Sequence, residues 1–321
     1  MSTDGSNKAI VAALSANLGI GVTKFVAFAL TGASSMLAEA IHSVADSGNQ
    51  MLLLVGGRKA KREESVQHPF GYSRARYYYA FLVAVVLFSV GGLFALYEAW
   101  HKFQHPEPIE SWQWVPVVVL LIAIGLEGYS FRTAIVESNK VRGNASWPAF
   151  VRKSRSPELP VILLEDLGAL LGLMFALFGV VLTLITGNGL WDATGTAMIG
   201  ALLCVIAVVL GRETKSMLMG ESATPEDVAA IRAALAASDL PDVIHMRTMH
   251  LGPEDVLVAA KVGVAGELTA HQVAELVDGA EERIRSAVPA ARLIYLETDV
   301  RRGLDNEGAM ADQAHIHDKD H

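Results

Sequence analysis

A chain of 321 residues, 52% of them hydrophobic and with a mean hydropathy of +0.35, is too apolar for an ordinary soluble domain and too long for a bare membrane anchor. Its formal charge of -8 comes largely from the C-terminal end, while the basic residues crowd into short loops, so the balance argues against a nucleic-acid partner. The single cysteine, Cys204, excludes an internal disulfide framework and a CxxC metal motif; it sits in an apolar run and reads as a small core residue.

Residues 1–8, MSTDGSNK, are expected to be a short tail without the marks of a secretory signal, which leaves insertion to the spans. Six segments read as membrane helices within a domain of residues 9–212: Ala9 to Leu30, Ser34 to Gly56, Tyr77 to Trp100, Val115 to Ile135, Leu159 to Thr186 and Trp191 to Gly211. Arg58, Lys59, Lys61, Arg62, Arg74 and Arg76 follow the second span, and Lys140, Arg142, Arg152, Lys153 and Arg155 follow the fourth. The loops HPEPIES (His105 to Ser111) and TGNG (Thr186 to Gly189) contain no Lys or Arg, so the positive-inside rule expects both termini in the cytosol or its equivalent. Ala- and Val-rich spans suggest a bacterial inner membrane.

The second span is the weakest by hydropathy and carries Glu39, His42, Asp46, Asn49 and Gln50. Glu39, His42 and Asp46 fall at i, i+3 and i+7 and so share one helical face. An ionised side chain at mid-bilayer costs on the order of 3 kcal/mol even on the lenient insertion scale, so this face needs a partner, an ion or a water-filled cavity. An imidazole and a carboxylate one turn apart offer a cation a pair of ligands. On residues alone, interhelical hydrogen bonding is the competing reading for the pair, and it is favoured for Lys24 and Glu127.

Beyond Gly220 the composition turns soluble, and residues 220–300 are expected to fold separately. Thr224-Pro225-Glu226-Asp227 starts a helix running to about Ala237. Strands are expected from Val243 to Met249 and from Val256 to Val264. A helix capped by Thr269 and Gln272 and running to about Ala287 follows, then a short strand from Arg292 to Leu296. This order, αββαβ, predicts an α+β sheet with helices on one face. His250 and His271 read as surface residues. Residues 301–321, ending HIHDKDH, read as a disordered tail.

The motifs His42-x-x-x-Asp46, HPFGYSRARY (His68 to Tyr77) and GES (Gly220 to Ser222), with a C-terminal domain of this size, resemble the cation diffusion facilitator family. AEAIHSVADSGNQ (Ala38 to Gln50), LEG (Leu126 to Gly128), VILLED (Val161 to Asp166) and ITGN (Ile185 to Asn188) resemble, more narrowly, its branch of mitochondrial-type zinc transporters. The resemblance implies a six-span membrane bundle with a metallochaperone-like cytosolic domain, working as a homodimer in a lipid bilayer. It implies a proton-coupled antiporter, not an enzyme, that exports a divalent cation, Zn2+ first and Mn2+, Fe2+ or Co2+ as alternatives.

The family's second ligand pair lies four residues apart on the fifth span; here Asp166 matches the later position, but Ile162 stands at the earlier one. The implied metal residues are therefore His42, Asp46 and Asp166, with Glu165 the obvious replacement and Asn17 on the first span a candidate oxygen ligand. Neighbours on a helix point about 100° apart, so Glu165 and Asp166 cannot both face the site on a regular helix. Glu39 is assigned to an exit path or proton relay. In the cytosolic domain the resemblance implies a further metal site at His245, Glu297 and Asp299, placed in doubt by Lys261 where another histidine is common. Two other classes compete: an intramembrane metalloenzyme, against which the sequence offers no HExxH, and a metal-responsive sensor or scaffold without flux.

Overall fold

A computed structural model describes residues 3–106, 109, 112–238, 240 and 242–300, and along them each long apolar run is helical. The first passage is α1 (Thr3–Thr31), which closes at Gly32 with φ +67°, and the second is α2 (Ser34–Ala60). The third is broken into α3 (Ala75–Val86), a π-helical segment (Leu87–Leu93) and α4 (Phe94–Gln104). Then come α5 (Trp114–Arg142), a short α6 (Trp147–Lys153), α7 (Glu158–Thr186) and α8 (Leu190–Met219).

Three features depart from the sequence expectations. Helix α1 begins at Thr3, inside the stretch expected as a tail; no glycine or proline other than Gly5 stands in its way. Helix α8 runs past Gly211 through Arg212-Glu213-Thr214-Lys215, residues with no helix-breaking chemistry, and stops only before Gly220, whose φ of +101° a side chain would resist. The unexpected α6 starts where Ser146 accepts a hydrogen bond from Ala149 N and proline sits in the first turn.

Among the described residues, four passages are both long and apolar enough to cross a bilayer: Ala75–Gln104, Trp114–Arg142, Glu158–Thr186 and Leu190–Met219. The described apolar part of α1 is Asn17–Thr31, and α2 owes its lower hydropathy to its polar face. The core between them is built from small and aliphatic groups, including Ala80, Val83, Leu87, Leu173, Ala176, Ile199 and Leu203. Lipid removes the hydrophobic drive between helices, so close backbone approach has to supply the contact. Glycine supplies it at the α7–α8 crossing: a Cβ on Gly195 would stand 2.7 Å from the Phe175 carbonyl oxygen, and one on Gly179 2.8 Å from that of Trp191.

The described chain parts into two compact units between Leu218 and Met219. The second contains α9 (Pro225–Ala236), β1 (Val243–Gly252), β2 (Asp255–Val264), α10 (Ala270–Ala287) and β3 (Leu293–Val300), the expected αββαβ order. Strand β1 is antiparallel to β2, and β2 is parallel to β3 across the α10 connection. Alternate residues of β2, Val256, Val258, Ala260 and Val262, join Ile231, Leu235, Ala280 and Ile284 in one core. Thr269 and Gln272 form the capping box of α10. His250 is a correction: β1 continues past Met249 to Gly252, the period of the strand turns His250 inward, and the residue is buried with Nδ1 3.1 Å from the Gly252 carbonyl oxygen. The expected tail at 301–321 lies outside the described residues.

Candidate metal site

Helix α2 owes its position to a contact far off in sequence. Its first turn has no side-chain cap of its own, because Ala33 occupies the N-cap. Asp192 of α8 supplies the cap: its carboxylate accepts from Ser34 N (2.7 Å), Ser34 Oγ (2.8 Å) and Ser35 N (3.4 Å), and bonds the Ser35 hydroxyl as well. Thr183 Oγ1 accepts from Asp192 N at 2.9 Å and ties α7 to the same point. An anion at a helix N-terminus satisfies the orphan amides and matches the helix dipole, and here it also fixes which face of α2 meets α7.

That face is the polar one. Glu39, His42, Asp46 and Asn49 are all buried, at i, i+3, i+7 and i+10, a line of about 15 Å along the helix. His42 Nδ1 lies 3.5 Å from Asp46 Oδ1. Its ring faces the π segment, where a Cβ on Gly91 would be 4.0 Å from Nδ1, an ordinary contact, and 3.1 Å from Leu203 Cδ1 of α8, the neighbour that a side chain there would press.

Opposite Asp46 and Asn49 stands Glu165 of α7. Asn49 Nδ2 donates to Glu165 Oε1 at 2.9 Å, and Asp46 stands one turn before Asn49 on the same face of α2. Asp166 belongs to a different face of α7: it accepts from Ser130 Oγ of α5 at 2.9 Å. Ile162, one turn earlier, packs on the same side against the cluster of Ala134, Phe150 and Leu163. The structure thus brings together His42, Asp46 and Glu165 along the α2–α7 seam, and turns Asp166 and Ile162 toward α5. Asn17 is partly exposed on α1.

Among the described residues, no three His, Cys, Asp or Glu side chains converge on a single point as a ready metal cage. The seam nevertheless contains polar atoms without a hydrogen-bond partner among those residues: both His42 ring nitrogens, Asp46 Oδ1, Asn49 Oδ1 and Glu39 Oε1. A buried polar atom left unpaired costs about 1–3 kcal/mol, so a row of them marks a place built for something else to bind. Sequence reasoning left Asn49 out of the ligand set, although its place three residues beyond Asp46 was the available signal. Ser130, Asp192 and Gly91 gave none.

The second unit places His245, Lys261 and Glu297 side by side across β1, β2 and β3. Lys261 Nζ lies 3.1 Å from Glu297 Oε1 and 3.2 Å from Asp299 Oδ2. Its hydrogen bonds to Glu297 and Asp299 push the lysine pKa above its usual value, so the ammonium stays charged and occupies the place between the acids.

A line of buried acids and imidazole between membrane helices, in a chain that also carries a small α+β unit, defines the class: a multi-pass membrane protein with an ionisable seam inside its helix bundle. Residues 10–219 match the model of the cation efflux transmembrane domain, and the chain belongs to the cation efflux family, the family its motifs resemble. It is similar to the "Proton-coupled zinc antiporter SLC30A9, mitochondrial" of Homo sapiens, 34% identical over 280 residues, which is 85% of this chain and 49% of that protein. Metal tolerance protein C4 of Arabidopsis thaliana is 25% identical over 82% of this chain and 58% of its own length, and zinc transporter ZitB of Escherichia coli (strain K12) is 22% identical over 77% and 74%. The chain spans about half the length of the antiporter relatives it matches. The mitochondrial name of those relatives gives no support to the bacterial inner membrane expected from composition.

Proposed function

We propose that the protein is a proton-coupled antiporter that moves a divalent transition-metal cation, Zn2+ first, out of the cytosol or its equivalent, with both termini on that side. The observation that carries this reading is the α2–α7 seam, along which His42, Asp46 and Glu165 line up and where Asn49 Oδ1 lacks a hydrogen-bond partner among the described residues. These residues supply one nitrogen and three oxygens, enough for a four-coordinate ion. In this reading Glu165, not Asp166, takes the place left open by Ile162.

Proton exchange follows from the same contacts. Asp46 and Glu165 are acids and His42 is a base, so a bound dication displaces the protons these groups would otherwise take up, and returning protons weaken the site for the metal. Alternating access would rock one helix group about the seam. The zinc antiporter and zinc transporters among the relatives support the choice of cation. The oxygen-rich set keeps Mn2+, Fe2+ and Co2+ as competitors. The family resemblance supports a homodimer. Lys261, fixed between Glu297 and Asp299, counts against a sensor that reads metal at His245.

The test is flux in reconstituted vesicles. Zn2+ movement is expected to reverse when the imposed pH gradient is reversed, and to vanish in His42→Ala and Asp46→Ala; flux indifferent to the gradient would defeat the coupling. Competition of Mn2+, Fe2+ and Co2+ against Zn2+ in the same vesicles ranks the cargo.

A further inference from the structure

Helix α1 sends a charged side chain into the same seam. Lys24 is buried on α1, and its Nζ donates to Glu39 Oε2 and to Ser43 Oγ, each at 2.9 Å. The pairing leaves half of the carboxylate unused. Glu39 Oε1 has no hydrogen-bond partner among the described residues, and it faces Gly172 of α7, where a Cβ would stand only 2.7 Å away. Gly172 lies seven residues beyond Glu165, two turns along the same face of α7, so the unpartnered oxygen lies against the face of α7 that also carries Glu165. Glu39 itself is three residues before His42, one turn along α2.

We propose that Glu39 Oε1 is a second station for the transported divalent cation, and that Lys24 is the tethered cation with which the metal competes there. This rests on the reading of His42, Asp46 and Glu165 as the first station. A carboxylate already paired with an ammonium offers a dication less attraction than a free one, and in a dry interior the two positive charges repel strongly at this range. A metal ion that steps from His42 to Glu39 drives the ammonium back toward Ser43. The return of the ammonium then drives the ion off. Lys24 keeps the second station weak, which a transport path needs so that the ion can leave as well as enter. Gly172 contributes the room that Oε1 itself occupies against α7, room that any side chain would take from it.

The competing account is that the ion pair does no more than join α1 to α2. The full chain in detergent and in vesicles separates the two, with Zn2+ as the probe, by equilibrium binding and by flux. Lys24→Met is expected to bind Zn2+ at least tenfold more tightly and to move it at least tenfold more slowly, because a freed Glu39 retains the ion. Lys24→Met/Glu39→Gln leaves no unpaired charge buried, so it keeps the test open if the single variant does not fold. It is expected to bind within about threefold of the parent and still to move Zn2+ slowly. A mere joint predicts the parental rate in this neutral double variant, and that result overturns the proposal; so does unchanged or weaker binding by folded Lys24→Met. His42→Ala runs alongside: parental binding and flux in that variant would remove the first station, whereas its loss with normal Lys24 and Glu39 variants would remove the second station alone.

Discussion

The membrane seam and the outer row of the sheet each set a lysine against acids near a histidine, but they finish differently. In the sheet, Lys261 reaches both Glu297 and Asp299 and offsets one of their two negative charges from within the chain. In the seam, Lys24 reaches one oxygen of Glu39 and none of the acids around His42. Burial makes that difference matter. At a water-exposed surface an unmatched group is solvated at little cost, whereas between membrane helices it stays unmatched until a ligand arrives. Similar residue types therefore yield an ion-paired row in one unit and, in the other, a seam with buried polar atoms that lack hydrogen-bond partners among the described residues.

The sharpest way to break the comparison is to ask which acid of α7 belongs to the seam. Zn2+ flux in vesicles is expected to fall on the order of 100-fold in Glu165→Gln and only about 3-fold in Asp166→Asn, since ligands cost more than groups behind them. The opposite ranking would return the site to the face shared with Ile162.

Next comes the clamp that aims α2. Asp192→Ala strips several hydrogen bonds from the first turn of α2 and is expected to cost about 2–3 kcal/mol, read as a lower thermal-unfolding midpoint in detergent and rescued in part by Asn. Gly195→Ala forces a methyl against the Phe175 carbonyl and is expected to cost about 1–2 kcal/mol in the same measurement.

The smallest effects belong to the sheet. Lys261→Ala is expected to leave the unfolding midpoint of the second unit nearly unchanged at neutral pH, because an exposed pair contributes little. Its raised pKa means that whatever it contributes is present at neutral pH and fades only as the pH climbs through the alkaline range of the paired lysine. Lys261→His, made in the His42→Ala chain, is expected to gain Zn2+ binding that the His42→Ala chain lacks, as His245, the new imidazole, Glu297 and Asp299 become a ligand set. No gain would mean that the row is too splayed to hold a metal, whatever its residues.

Much of the architecture was legible from local pattern. Long apolar runs, the Thr224 and Thr269 caps and the alternation in β2 each act over a few residues, so reading them needs no partner helix. The π segment was not legible, since Leu87 to Leu93 reads like any apolar helix and the close contacts of its glycines are to Leu203 and Cys204 of α8. His250 was misread for the opposite reason: its side depends on how far β1 extends, and the pairing of His250 with Val256 of β2 decides that.

By itself the sequence determined that a chain with this much apolar surface must enter a membrane, and that an imidazole and acids on one face of its second span require a partner there. Which acid supplies that partner was left open by the adjacent Glu165 and Asp166, because helical geometry says only that they point about 100° apart. Tertiary structure decided it through the rotation of α7, which packs Ile162 against α5 and α6 and so turns Glu165 to α2. That rotation depends on contacts between residues far apart in the chain, such as Asp192 with Ser34 and Gly179 with Gly195. No local pattern contains those contacts, because each exists only when two helices have already met.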